Sequence, residues 1–327
     1  MRSRRFVLVA LSVLAAGLAA GSLAEAADPQ FTKPVRIIVP YAPGGSSDIL
    51  ARLIGPHLSK AVGQPVIVEN KPGATGNIGA DLVAKAEKDG HTLLLADMGA
   101  VAAAPSLFSK LTYDPEKDLT GVGMIMFAPY ILAVHPSLPV KTVAELVAYA
   151  KANPGKLALG HSGVGNANHL TGIVLAKHWA IDWKYVPYKG GAAAIRAVVA
   201  NESNVIINGA LATQPFVTQN QLKGVAVSGA KRLEALKDLP SFKELSLPAV
   251  DSGTWQGVMT TAGTPTPMVA RLNAELKKIL AIPEIEKKIT ELGGDVEIGS
   301  PEDFAAWMKA NMKSWGAVVR EANIKLE

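Results

Sequence analysis

Two glycines and three helix-capping residues stand together in Pro43-Gly44-Gly45-Ser46-Ser47-Asp48, between the apolar run Val35 to Val39 and the helical pattern that opens at Ile49-Leu50-Ala51-Arg52. A strand, a glycine turn and a capped helix in that order make an anion site. Glycine lets backbone approach a ligand without a Cβ, and the first turn of a helix presents unpaired N–H groups at the positive end of its dipole. A carboxylate or phosphate can sit there without an arginine. The same order recurs where Leu157 to Gly160 leads through Ser162-Gly163-Val164-Gly165-Asn166 into a predicted helix from Ala167 to Lys177. Taken alone, each loop reads equally well as a tight turn, because strand-to-helix connections need glycine in any case.

Other chemistry is poorly supported. Ser162 and His169 invite a nucleophile and base, but Gly160-His161-Ser162-Gly163-Val164 puts a valine where a nucleophile elbow needs its second glycine. His161, His169 and His178 have neither His-Glu-x-x-His spacing nor a supporting carboxylate, so they read as structural histidines and no metal is expected. Gly163-Val164-Gly165 lacks the third glycine of a dinucleotide fingerprint, and no phosphate-binding lysine motif occurs, so no cofactor is expected either. Lys189 can reach a ligand, bond loop carbonyls or face a protein partner; the residues do not choose among these. Trp179, Trp183 and Trp255 read as packing residues.

The chain opens with Arg2, Arg4 and Arg5, an apolar run from Phe6 to Ala20, and small residues ending in Ala24-Glu25-Ala26. This is the pattern of a cleaved secretory signal peptide over 1–26, with a mature protein starting at Ala27 and a periplasmic destination. The chain has no cysteine, which excludes disulfides, thiolate metal sites and a lipid-anchored cysteine. Removing the leader removes three of the 33 basic and one of the 28 acidic residues, so the net charge falls from +5 to +3. The remaining charges interleave, as in Glu284-Ile285-Glu286-Lys287-Lys288, which is a solvated face and not a nucleic-acid stripe.

Strands and helices alternate along the chain. Pro65 to Asn70 precedes Pro72-Gly73-Ala74-Thr75-Gly76 and a helix through Val83; Thr92 to Ala96 precedes Asp97-Met98-Gly99 and a small-residue helix; Trp183 to Pro187 precedes Gly190-Gly191 and a helix from Ala192 to Ala200. This is an α/β pattern. Gly63 should end the first helix, Asn153-Pro154-Gly155 should end one running from Val143 to Ala152, and Ser300-Pro301-Glu302-Asp303 should cap the last. Pro56 inside the first helix predicts a kink or break near Gly55. No low-complexity linker divides the chain, as expected for two lobes joined by strands that cross between them.

Tyr41-Ala42-Pro43-Gly44-Gly45-Ser46-Ser47-Asp48, Val68-Glu69-Asn70-Lys71-Pro72-Gly73-Ala74, Asp89-Gly90-His91-Thr92, Tyr113-Asp114-Pro115, Val186-Pro187-Tyr188-Lys189-Gly190 and the surroundings of Trp315-Gly316 occur in this order. Together they resemble the Bug-type solute receptors of tripartite tricarboxylate transporters, over essentially the whole mature chain. The resemblance implies a two-lobed, type II-like periplasmic binding protein fold with a ligand cleft between lobes joined by crossover strands. On that basis lobe 1 is expected at 28–124 plus 253–327 and lobe 2 at 125–252, with crossings near Met124 to Tyr130 and Trp255 to Thr260. It implies a monomer that is not an enzyme, captures a small organic carboxylate (a dicarboxylate, a tricarboxylate or an aromatic acid) and delivers it to membrane permease subunits. Implied ligand residues are Ala42, Pro43, Gly44, Gly45, Ser46, Ser47 and Asp48 from one loop and Ser162, Gly163, Gly165, Asn166 and His169 from the other, with Asp97, Gly99 and Asn208. Asn208 departs from the family pattern, which has an acidic residue there, and makes the pocket less negative. A secreted Ser/His hydrolase and a ligand-dependent signalling receptor on the same fold are the alternatives.

Overall fold

The computed structural model describes residues 29–97, 99–248 and 253–326. The expected leader over 1–26, the cleavage point before Ala27 and Met98 of the third loop lie outside the described residues.

Strand β1 (Val35–Val39) is apolar at four of five positions because helices cover both of its faces. Val35, Ile37 and Val39 pack with the helix α1 (Ser46–Val62), while Ile38 joins Ala80 and Val83 of α2 (Asn77–Ala84). β1 lies between β2 (Val66–Asn70) and β3 (Thr92–Ala96), parallel to both. Beyond β3 a five-residue π turn, Gly99–Ala103, runs into the short helix α3 (Ala104–Leu107).

Strand β4 (Leu119–Val134) is 16 residues long and belongs to both halves of the molecule. Its first part, from Leu119 to Pro129, pairs antiparallel with β9 (Gly253–Thr261), which itself pairs with β3. Its second part, from Tyr130 to Val134, pairs with β7 (Val205–Gly209), and β8 (Lys223–Val227) lies along the same stretch. β7 continues to β5 (Ala158–His161) and β6 (Lys184–Pro187), giving the strand order β2-β1-β3-β9-β4-β7-β5-β6. The fold is the α/β, two-lobed type anticipated, with backbone passing between the halves as strand. The second half carries α4 (Val143–Ala152), α5 (Ala167–Trp179), α6 (Gly191–Val199) and α7 (Ala210–Thr218). The chain then returns to the first half through α8 (Thr266–Leu280), α9 (Pro283–Glu291), β10 (Asp295–Val296) on β4, and α10 (Pro301–Glu321).

The helix ends follow the sequence signals. Gly63, at φ 71°, closes α1 by donating its N–H to Ser59 O. Thr142 and Ser300 cap α4 and α10 with reciprocal capping boxes to Glu145 and Asp303. α1, however, is unbroken from Ser46 to Val62, so the break expected at Gly55 does not occur. Proline costs the helix one hydrogen bond and a clash, but α1 buries Leu50, Ala51, Ile54, Leu58 and Val62 against the sheet. That burial outweighs the local defect.

Phe304 of α10 shows how tightly the strands under the cleft are held. Its ring lies against Gly121 and Gly257, where a Cβ would fall 2.7 Å and 2.2 Å from ring carbons, and packs edge-on to Trp255 at 5.8 Å. Two glycines on adjacent strands make the slot that this ring fills. Phe304→Ala is expected to destabilise the protein by about 3–5 kcal/mol in urea unfolding, and a loss under ~1 kcal/mol would show that the slot collapses without cost.

Candidate functional site

In the first loop only Gly44 takes a conformation that demands glycine, at φ 87°; Gly45 is extended at φ −81° and is the N-cap of α1. The first helical bond runs from Ile49 N to Gly45 O at 3.0 Å, so the N–H groups of Ser46, Ser47 and Asp48 precede it. No side chain caps this end. Asp48 turns back and accepts from the Gly44 N–H at 2.9 Å, from Asn70 Nδ2 at 2.9 Å and from Arg52 Nε at 3.0 Å. Burial alone would raise its pKa; the bonds from Arg52, Gly44 and Asn70 outweigh burial and hold it below the ordinary value.

The second loop is pinned in another way. Gly163 and Gly165 have φ of 141° and 83°, and a Cβ on Gly165 would lie 2.0 Å from Leu107 Cδ1. Asn166 Nδ2 donates to Ser162 O and Oγ, both at 3.1 Å, and Ser162 Oγ donates to Asn168 Oδ1 at 3.0 Å. Asn166 caps α5, whose first helical bond is Leu170 N to Asn166 O, so the N–H groups of Ala167, Asn168 and His169 precede it. His169 Nδ1 accepts the Gly165 N–H at 3.1 Å, and its ring lies 4.3 Å from that of His161, whose Nδ1 faces Gly163 O at 3.0 Å. Burial pushes His161 down to about 4 and, with the neighbouring ring, His169 down to about 3, so both are neutral. The Ser162 hydroxyl therefore sits between two asparagines, and the Nδ1 lone pair of His169 is spent on a backbone N–H.

The two loops border one small cavity of ≈ 40 Å³. Of the residues singled out from the sequence, it brings together Gly45, Ser46, Ser47, Asp97, Ser162, Asn166 and Asn208. The others stand behind the wall. Ala42 donates its N–H to Lys189 O across the cleft at 3.3 Å, and Pro43 and Gly44 are exposed on the loop. Asp48, Gly163, Gly165 and His169 shape the loops as described. Gly99 donates to Asp97 Oδ1 at 3.0 Å, and a Cβ there would fall 1.8 Å from Asn166 Oδ1. Lys189 lines an outer groove that shares Tyr41 and Ser162 with the cavity. Thr75 Oγ1 donates to Val164 O at 2.9 Å, a second tie between the halves.

Sequence reasoning missed Tyr41, Tyr130, Asn168, Gly191, Thr254, Trp255 and Gln256 in the lining. Tyr130 sits on β4, and Thr254, Trp255 and Gln256 on β9, where only the pairing of distant segments brings them under the loops. Asn208 donates to Thr213 Oγ1 at 3.0 Å and carries no charge, but the cavity is not without an acid. Asp97 Oδ1 accepts the Tyr41 hydroxyl at 2.5 Å as well as the Gly99 N–H, and burial still raises its pKa to about 6. Tyr41 and Tyr130 are raised as well by burial and by Asp97, so both are neutral hydroxyls.

Two lobes joined by shared strands, with a helix N terminus from each facing one cavity, define a solute-binding protein of the periplasmic type. The chain belongs to the tripartite tricarboxylate transporter family receptor group, whose family model matches residues 50–324. It is 29% identical over 326 residues to the protein BugT of Bordetella pertussis, covering 99% of both chains. It is similar to the periplasmic binding protein BugD, with 31% identity, TM-score 0.86 and coverage of 90% of this chain and 100% of that one. An R. palustris protein solved with adipate has TM-score 0.87 at 33% identity, covering 90% and 99% of the two chains. MatC from Rhodopseudomonas palustris, solved with malate, has TM-score 0.83 at 31% identity, covering 88% and 99%.

Asp97 makes a signed prediction. Its folded pKa of about 6 lies above the ordinary 3.8, so the native state holds a proton that the unfolded chain has released between those values. Stability from this group therefore falls as pH rises from about 4 to about 6 and stays lowered above. The groups facing it are the neutral hydroxyls of Tyr41 and Tyr130. Asp97→Asn should stabilise the ligand-free protein by at most ~3 kcal/mol at pH 7.5 and by clearly less at pH 4.5, measured by urea unfolding. Equal effects at the two pH values would rule out a buried, ionised Asp97.

Proposed function

We propose that this protein is an exported periplasmic receptor that closes its two lobes over one small organic carboxylate and hands it to the permease subunits of a tripartite transporter. The observation that carries the reading is the convergence of two helix N termini, α1 from one half and α5 from the other, on a single cavity. Each offers first-turn N–H groups and a partial positive charge, and enclosure between them removes competing water. Adipate and malate in the two R. palustris relatives are of the ligand class that such a site suits.

In this reading Gly45, Ser46, Ser47, Ser162, Asn166 and Asn208 touch the ligand. Ala42, Pro43, Gly44, Asp48, Gly99, Gly163, Gly165 and His169 hold the loops in shape. The lobes comprise 28–124 with 253–327, and 125–252, hinged in β4 and β9, and the leader over 1–26 is cleaved on export. Binding involves no turnover, because among the described residues the Ser162 hydroxyl is bonded to Asn166 and Asn168 and to no base. The receptor works as a monomer, and uptake measured with and without co-expressed permease separates transport from signalling.

The purified mature protein is expected to bind a member of a broad carboxylate panel at one site per chain, with about 2.7 kcal/mol of added stability at a hundredfold excess over Kd. Silence in both thermal melting and calorimetry across the panel would sink the reading. Gly45→Val should fold, since the backbone there is extended and a Cβ meets nothing closer than Ala42 O at 3.8 Å. Its branched side chain should nevertheless block the cleft and abolish both binding and the ligand-induced compaction seen by small-angle scattering. A folded variant that binds and compacts like wild type would remove the first loop from the site. Ser162→Ala should weaken binding by roughly 1.5–3 kcal/mol, the worth of a hydrogen bond to a charged group. Consumption of ligand by wild type, lost in Ser162→Ala, would instead establish the hydrolase.

A further inference from the structure

Gln256 is fully buried on β9 in the cavity wall, and neither its Nε2 nor its Oε1 has a hydrogen-bond partner among the described residues. Other buried side chains, such as Thr171, Trp183 and Asn311, leave one polar atom unpaired; Gln256 leaves both. A buried amide unpaired at both ends is costly, and native proteins keep such groups where something other than folding uses them. Its neighbour on the same wall is Asp97. The register that pairs Ala96 with Gly257 brings Asp97, the first residue beyond β3, level with Gln256 of β9 at the end of the ladder. Both bonds to Asp97, from Tyr41 and Gly99, fall on Oδ1, which leaves Oδ2 for the cavity that Asp97 lines.

We infer that Asp97 and Gln256 form a selecting wall opposite the helix ends, which admits carboxylates bearing a hydroxyl or ammonium group and rejects their unsubstituted counterparts. The inference rests on the proposed carboxylate site and names its substrate class. The helix ends supply donors for a carboxylate. The wall supplies an acceptor-only oxygen, Asp97 Oδ2, beside an amide that both donates and accepts. A ligand hydroxyl gives its proton to Asp97 or to Gln256 Oε1 and receives one from Gln256 Nε2; an ammonium group donates to both acceptors. A methylene in the same place leaves all three wall atoms unpaired, and a second carboxylate meets Asp97 as a like charge. Sites built to pair a polar group discriminate steeply against analogues that lack it.

The test uses matched acids that differ only in the donor: succinate, malate and aspartate; glutarate, 2-hydroxyglutarate and glutamate; 3-phenylpropionate, 3-phenyllactate and phenylalanine. Calorimetry on the mature wild-type protein at pH 7.5 should show, in the series that fits, at least tenfold tighter binding of a donor-bearing acid than of its plain partner. Asp97→Asn keeps an acceptor for Tyr41 and Gly99 but presents N–H in place of Oδ2, so the preference should collapse or invert. Gln256→Met removes the orphaned amide at similar volume. It should leave the ligand-free melting temperature unchanged or raised while weakening the preferred acid at least fivefold, a combination that a purely structural glutamine would not give. If Gln256→Met does not fold, the isosteric Asp97→Asn carries the test. Plain acids binding wild type as tightly as their donor-bearing partners, or a preference that survives Asp97→Asn, would overturn the selecting wall and leave the carboxylate receptor standing. No binding anywhere in the panel would overturn both.

Discussion

Helices α1 and α5 each begin with N–H groups that nothing within the helix can pair, and the molecule buries both of these ends in the same cleft. Much else in the structure answers to that constraint. A side chain folded over either end would satisfy it locally, and none does so at α1, where the cap is glycine. Asp48, the residue best placed to cap, is drawn backwards by Gly44, Asn70 and Arg52. Its charge is thereby neutralised behind the loop, and the helix end is kept open. At α5 the N-cap Asn166 likewise makes no side-chain capping bond; it joins Ser162 and Asn168 in a network that is neutral and adds no charge to the cleft. The protein thus spends its ionic pairing outside the site and presents dipoles at the two helix ends, an arrangement that favours an anion there without binding it through a permanent ion pair.

Two buried titratable clusters sit around this cleft and work in opposite senses. His161 and His169 are neutral because burial lowers their pKa, so their contribution to stability is present above the ordinary histidine value and lost as pH falls towards 4. Asp97 is strained in the other direction, destabilising the ligand-free protein above about pH 6. The histidines belong to the scaffold: their rings pack against one another at a 30° tilt, and one of them orients the Gly165 turn. Asp97 faces the cavity. The histidines meet burial by staying neutral and build the loop, whereas Asp97, which burial cannot keep neutral above about pH 6, looks into the site.

Local signals carried the reading of this sequence a long way. The strands β1 and β3, the Gly63 terminus, the boundaries of α4 and the Ser300 cap all follow from residues within a few positions of one another. The two loops were legible for the same reason, since glycine followed by capping residues is a local pattern. What was not legible depends on tertiary pairing. Asp48 carries the same local credentials as Ser46 and Ser47, and although Gly44 and Arg52 bond it from within four residues, it is Asn70, arriving from β2, that completes the set turning it away from the cleft. The unbroken run of α1 through Pro56 depends on apolar burial against strands that the helix pattern does not specify. Tyr130, Thr254 and Gln256 lie on strands whose apolar content reads as core, and only the β4–β9 register places them under loops from elsewhere in the chain.

Gln256 shows why a wall built on strands suits selection better than one built on the loops. β9 is paired on both sides, to β3 and to β4, so the position of Gln256 is fixed by ladders that do not depend on a ligand. The loops contribute donors that any carboxylate can use, because one first-turn N–H resembles another. Discrimination needs a group whose partner is specified in kind as well as in place, and a side-chain amide next to an acceptor-only carboxyl oxygen specifies both. Holding such groups unpaired costs stability, on the order of 1–3 kcal/mol for the amide. The same fixed strands that make the cost unavoidable also prevent the amide from relaxing towards another partner. Its pairing is thereby reserved for whatever the two helix ends hold in front of it.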